Sequence, residues 1–117
     1  FVQIPCFPVA SHLLTTPAEL ERFVQGRGAI GDYLVEIFTA YPKDHSAYSK
    51  VIWDISAIAW LLDASWVPSD VVHSPILTDQ YTWSHKPSRH FMRVARTVRR
   101  DAIFRDLFEK LAKRVGS

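Results

Sequence analysis

The spacing of apolar positions changes several times along the chain, and each change predicts an element. Residues 2–9 are an apolar run broken by Pro5 and Pro8. Proline donates nothing to a strand ladder, so this run predicts a short strand at a sheet edge, or extended loop. Thr16-Pro17-Ala18-Glu19 predicts a helix start. The threonine can cap, proline suits the first helical position, and the glutamate completes a capping box. Gly26 marks the stop, after Val24 or Gln25. A second helix is predicted over residues 29–41, with Ile30, Leu34, Ile37, Phe38 and Tyr41 at the spacing of one face. Pro42 ends it, and residues 42–50, PKDHSAYSK, read as a polar loop. A third helix should begin between Ser49 and Trp53 and run to about Asp63, with apolar side chains on nearly every side. That pattern predicts a central helix packed all round.

After Trp66 the texture becomes β-like. Val71-Val72, Ile76-Leu77 and Tyr81-Thr82-Trp83 predict short strands. Residues 90–98 suit a helix or a strand, and their β-branched content favours the strand. Asp101 is placed to cap a final amphipathic helix that buries Ile103, Phe104, Leu107, Phe108 and Leu111. Lys110, Lys113 and Arg114 fall at its C-terminal end, where the helix dipole favours positive charge.

One group stands out against this pattern. Residues 51–62 read VIWDISAIAWLL, and Asp54 is the only ionisable residue among them. Charged side chains are rarely buried unless they are paired or bind a metal. Asp54 is therefore either a helix cap or a functional group.

The chain's 117 residues suffice for one small core. Its 48% hydrophobic and 22% charged content is that of an ordinary globular domain. No apolar stretch is long enough for a membrane-spanning helix. The single cysteine, Cys6, excludes an internal disulfide and an all-cysteine metal site. A reducing, cytoplasmic setting is expected, with Cys6 buried and inert. The five histidines lack the i, i+4 spacing of a metal site and read as structural or surface residues. Charge is uneven: residues 86–117 carry +7 and residues 1–85 carry −5. Such asymmetry fits a nucleic-acid partner, or a basic end that pairs with an acidic surface of the same protein. Arg89, Arg93, Arg96, Arg99 and Arg100 lack interleaved exposed aromatics and any nucleic-acid motif, which favours a solvated or interface surface over a nucleic-acid site. Phe1 in place of Met and the apolar opening lead us to expect a piece of a longer polypeptide.

Val9-Ala10-Ser11, Leu14-Thr15-Thr16, Trp53-Asp54 and Leu62-Asp63, in this order and spacing, resemble the C-terminal part of the inosine-uridine-type nucleoside hydrolases. The closing RRDAIFRDLFEKL resembles that family's last helix, and the similarity covers essentially the whole chain. The resemblance implies an α/β fold, here its C-terminal fragment, mostly helical with a few short strands. It implies hydrolysis of the N-glycosidic bond of ribonucleosides to base and ribose. A calcium ion would hold the ribose diol and a water, and an aspartate from an N-terminal cluster would activate that water. Asp54 matches the family's C-terminal calcium ligand. Trp53 matches a position that is histidine in some members and tryptophan in others, the tryptophan form stacking on the base. Base–aromatic stacking contributes about 1–3 kcal/mol. Residues 43–49 fall where the family has a loop that closes over the nucleoside, from which His45 and Tyr48 could reach the base. The N-terminal aspartate cluster and the ribose-binding asparagine and glutamate are absent from these residues. The fragment alone is thus expected to be inactive and to bind calcium weakly, with the N-terminal portion of the protein as partner. A non-catalytic module of the same fold, binding a carbohydrate or a protein, is the alternative. Unpaired sheet edges would also invite homo-oligomers.

Overall fold

The computed structural model describes residues 1–41 and 47–113. Strand β1 (Val2–Gln3) leads through a turn and a 3₁₀ segment (Ala10–His12) to β2 (Leu14–Thr15), α1 (Pro17–Phe23) and α2 (Ala29–Ala40). Then come β3 (Lys50–Val51), α3 (Ile55–Leu62), a second 3₁₀ turn (Ala64–Trp66) and β4 (Ser69–His73). A hairpin of β5 (Ile76–Leu77) and β6 (Trp83–Ser84) precedes β7 (Phe91–Ala95) and the closing helix α4 (Arg100–Lys113). The architecture is mixed: four α-helices among the described residues, with short strands in small sheets. The main sheet has the order β1-β7-β4, with β1 parallel and β4 antiparallel to β7. β1 lies at an edge, as the two prolines after it require.

Local chemistry explains most of these boundaries. The Thr16 hydroxyl accepts from the Glu19 backbone N–H and Pro17 opens α1. The Glu19 carboxylate does not close the capping box. It accepts instead from the Thr15 hydroxyl and the Arg100 guanidinium. That ion pair ties the start of α1 to the start of α4 and is only about a quarter exposed on each side. Gly26 adopts φ +79°, the left-handed conformation that ends a helix at low cost. Gly31 lets α2 approach α1: a Cβ there would stand 2.9 Å from the Val24 carbonyl oxygen.

The core joins both halves of the chain, with Leu13, Val24, Val67 and Phe104 essentially inaccessible to solvent. α4 buries Ile103, Phe104 and Phe108 and half-buries Leu107 and Leu111, as predicted. Two helices depart from expectation. α2 turns Gly31, Val35 and Phe38 inward, and of the predicted face only Phe38 is buried; Ile30, Leu34, Ile37 and Tyr41 are exposed. The close approach to α1 through Gly31 selects the other stripe. α3 is not packed all round: Ser56 and Ala59 are buried, while Ile58, Leu61 and Leu62 face solvent. It is also shorter than expected, because Lys50–Val51 pairs with β2 as a strand. Likewise α4 begins at Arg100, so Asp101 lies in its first turn, where the dipole favours an acid.

The chain is a slab of 53 × 34 × 18 Å with a radius of gyration of 17.5 Å. A compact domain of this length has about 13 Å. Its accessible surface is 8074 Å², against about 6,500 Å² for a compact monomer of this mass. Large apolar side chains stand on this surface, among them Ile37, Tyr41, Leu61 and Trp83. A groove of about 360 Å³ between α1, α2 and α4 is lined by Leu34, Ile37, Tyr41, Leu107 and Phe108, among others.

Candidate functional site around the mouth of helix α3

Trp53 and Asp54 sit immediately before α3. The Ile52 N–H donates to the Leu13 carbonyl at 2.9 Å, fixing the approach of this segment to the first 3₁₀ turn. The turn after β1 comes in from the other side, held by Ala10 N–H to Pro5 C=O and Ser11 N–H to Cys6 C=O. It carries Phe7 against Trp53, with ring centres 5.3 Å apart and planes at 68°. Edge-to-face contact of this kind orients the half-buried indole. The Phe7–Pro8 peptide bond is cis.

Asp54 has helical backbone angles, φ −74° and ψ −20°, and its side chain makes no capping hydrogen bond. A capping aspartate has extended backbone and accepts from an N–H two or three residues on. Asp54 does neither. Its carboxylate is exposed, and among the described residues it forms no ion pair. The burial inferred from its apolar neighbours is not observed, because α3 turns that side to solvent.

Asp63, at the far end of α3, behaves as a cap. Its backbone is extended, and its carboxylate accepts from the Ser65 N–H at 3.0 Å and the Ser65 hydroxyl at 2.7 Å. Those bonds, the hydroxyl first, hold its carboxyl below the ordinary value of 3.8.

Tyr48 packs edge-on against Phe38 at 5.5 Å, and its hydroxyl is buried without a hydrogen-bond partner among the described residues. It lines a cavity of about 470 Å³ with Thr16, Pro17 and Glu21. Neither Trp53 nor Asp54 lines that cavity. Trp53 and Asp54 adjoin at the mouth of α3, and Tyr48 opens onto this other cavity. His45 lies outside the described residues. A calcium ion takes six to eight oxygen ligands. Asp54 supplies one carboxylate, and among the described residues no cluster of three His, Cys, Asp or Glu side chains could hold a metal. The described residues do not make a calcium site by themselves.

One further expectation is corrected. Cys6 is exposed, because the run after β1 leaves the sheet as a turn. Trp83 is exposed at the β5–β6 hairpin, whereas Trp60 and Trp66 pack on the core.

The basic third is spent largely on the protein itself. Arg96 pairs with Asp70, and Arg100 with Glu19 and Asp101. Arg89 and Arg99 donate to the Pro75 and Ser65 carbonyls. Burial weakens the Arg100 guanidinium's hold on its proton, but hydrogen bonds to Glu19 and Asp101 outweigh this and raise its pKa. Two of these ion pairs, Arg96–Asp70 and Arg100–Glu19, join the basic end to the acidic first part of the chain. No helix of the described residues is long and apolar enough to cross a membrane.

A second cluster was not evident from sequence. Phe7 also lines a cleft with Gln3, His73, Trp83 and His85, residues scattered over four segments. The usable signal was a tryptophan between two polar residues of a hairpin, a position with no core face. No family model matches the chain, and no curated protein is significantly similar to it.

Proposed function

We propose that this chain forms part of a calcium-dependent nucleoside N-ribohydrolase, in which Asp54 contributes one oxygen ligand and Trp53 stacks on the leaving base. The observation that carries the reading is the state of Asp54: a carboxylate at the mouth of an apolar helix that caps nothing and pairs with no described residue. An acid with no structural task, in a segment otherwise free of charge, is available for a ligand. The remaining carboxylates must come from polypeptide beyond these residues. The surface surplus of about 1,600 Å² over a compact monomer, on a chain that exposes large apolar side chains, supports such docking. That surplus equally favours the second reading, a non-catalytic module that binds a protein.

The test is free-base release from inosine by the full polypeptide that carries this chain, with calcium present. The reading expects release that stops on chelation, and none from the 117-residue chain alone. A well-folded full polypeptide that releases no base would remove the enzyme reading and leave the binding module.

A further inference from the structure

The cleft on the far side of Phe7 is built from the main sheet, the β5–β6 hairpin and the turn after β1, and encloses about 430 Å³. Small-molecule sites fall in the range of about 300–1,000 Å³, apolar with a few placed polar groups. Two aromatic rings stand at it largely exposed, Phe7 at 75% and Trp83 at 66%. Its polar groups are Gln3, His73, Ser84 and His85, and no Lys, Arg, Asp or Glu lines it.

The walls are braced from behind. The His73 ring stacks on Phe91 with centres 4.4 Å apart. Its Nδ1 lies 2.7 Å from the Arg89 carbonyl oxygen, which can only accept. Nδ1 therefore carries the proton, and in the neutral ring Nε2 keeps a free lone pair. Arg89 also donates to the Pro75 carbonyl, and Ser74 N–H donates to His90 C=O. The hairpin under Trp83 is closed by the Thr78–Thr82 hydroxyl bond at 2.7 Å and the Thr78 N–H to Thr82 C=O bond. His73, held by these contacts, is ready to bind without reorganising.

We infer that this cleft is a binding site for an uncharged, planar heteroaromatic ring of about the size of a nucleobase. The absence of charged residues from the lining disfavours an ionic ligand, whose desolvation would go uncompensated. A sugar ring presents several hydroxyls, each needing a partner once desolvated, whereas the largest exposed groups at this cleft are the two aromatic rings. A flat ring needs aromatic faces and one or two edge hydrogen bonds, which Trp83, Phe7, His73 and Gln3 offer. This inference does not rest on Asp54 or on the proposed hydrolase activity.

The experiment titrates the 117-residue chain with adenine, and separately with methyl glucoside, following the Trp83 indole by NMR. The expected result is saturable movement of the Trp83 signal with adenine, none with the glucoside, and the same affinity in Asp54→Asn. Trp83→Ala, followed through the His73 and His85 signals, should bind about ten-fold more weakly, the effect of one lost stacking face. Because Trp83 is exposed, this variant keeps the fold, which circular dichroism checks. No saturable change up to about 10 mM adenine, beyond the weak end of specific binding, would overturn the inference. So would equal response to the glucoside, or undiminished affinity in Trp83→Ala.

Discussion

The two ends of helix α3 carry the same residue type in opposite states. Asp63 has an extended backbone and a carboxylate bound to both the N–H and the hydroxyl of Ser65. Asp54 has a helical backbone and a carboxylate bound to nothing described. The first is an acid used by the fold, and its pKa falls because the charged form is the one that accepts hydrogen bonds. The second is an acid the fold does not use. The same residue type at two ends of one helix is therefore not equal evidence of function. Glu19 extends the contrast: it too is structural, shared between the Thr15 hydroxyl and Arg100.

The largest effect expected from this contrast is on catalysis. In the full polypeptide with calcium, Asp54→Asn should reduce base release from inosine by at least about 100-fold, since even second-sphere changes at metal sites cost 10–100-fold. Its stability by denaturant titration should stay within about 0.5 kcal/mol, as for other exposed substitutions. A stability loss as large as that of a cap would erase the distinction between the two ends. Next comes Glu19→Ala, which removes one of the half-buried Arg100 guanidinium's acceptors and leaves those of Leu14 and Asp101. It should destabilise by about 1–3 kcal/mol and leave the reacting residues in place. Trp53→Ala should slow base release about ten-fold if one stacking face is lost. Asp63→Ala should give the smallest change: a modest fall in midpoint temperature with unaltered activity.

Acid titration sharpens the same pair. The Asp63 carboxyl lies below its unfolded value of 3.8 in the folded chain. A group lowered in this way stabilises the fold fully above that value, and the contribution is lost as pH falls through the folded pKa. The Ser65 amide resonance should therefore move only below about pH 4. In Asp63→Asn that transition should disappear.

Where local chemistry decided the structure, the sequence was readable. The Thr16-Pro17 start, the Gly26 stop, the strand within residues 90–98 and the buried face of α4 all appear where expected. Where packing decided it, the sequence misled. α2 has two apolar stripes, and only the Gly31 approach to α1 chooses between them. α3 is apolar all round yet covered on one side, because periodicity reports what a helix can bury, not what lies beside it. Of the candidate site, the Trp53–Asp54 pair is contiguous and could be found by reading along the chain. The cleft of Phe7, His73 and Trp83 could not, because only tertiary folding joins its members. The uneven division of basic and acidic residues between the chain's two ends was visible, but the partners Glu19–Arg100 and Asp70–Arg96 were not.

The most direct test of the role given to Asp54 is a crystal structure of the full polypeptide with calcium and a nucleoside bound. An Asp54 carboxylate oxygen is expected at about 2.3–2.6 Å from the ion, with the Trp53 ring over the base. An Asp54 side chain still pointing into solvent, with the ion and the sugar held elsewhere, would contradict it.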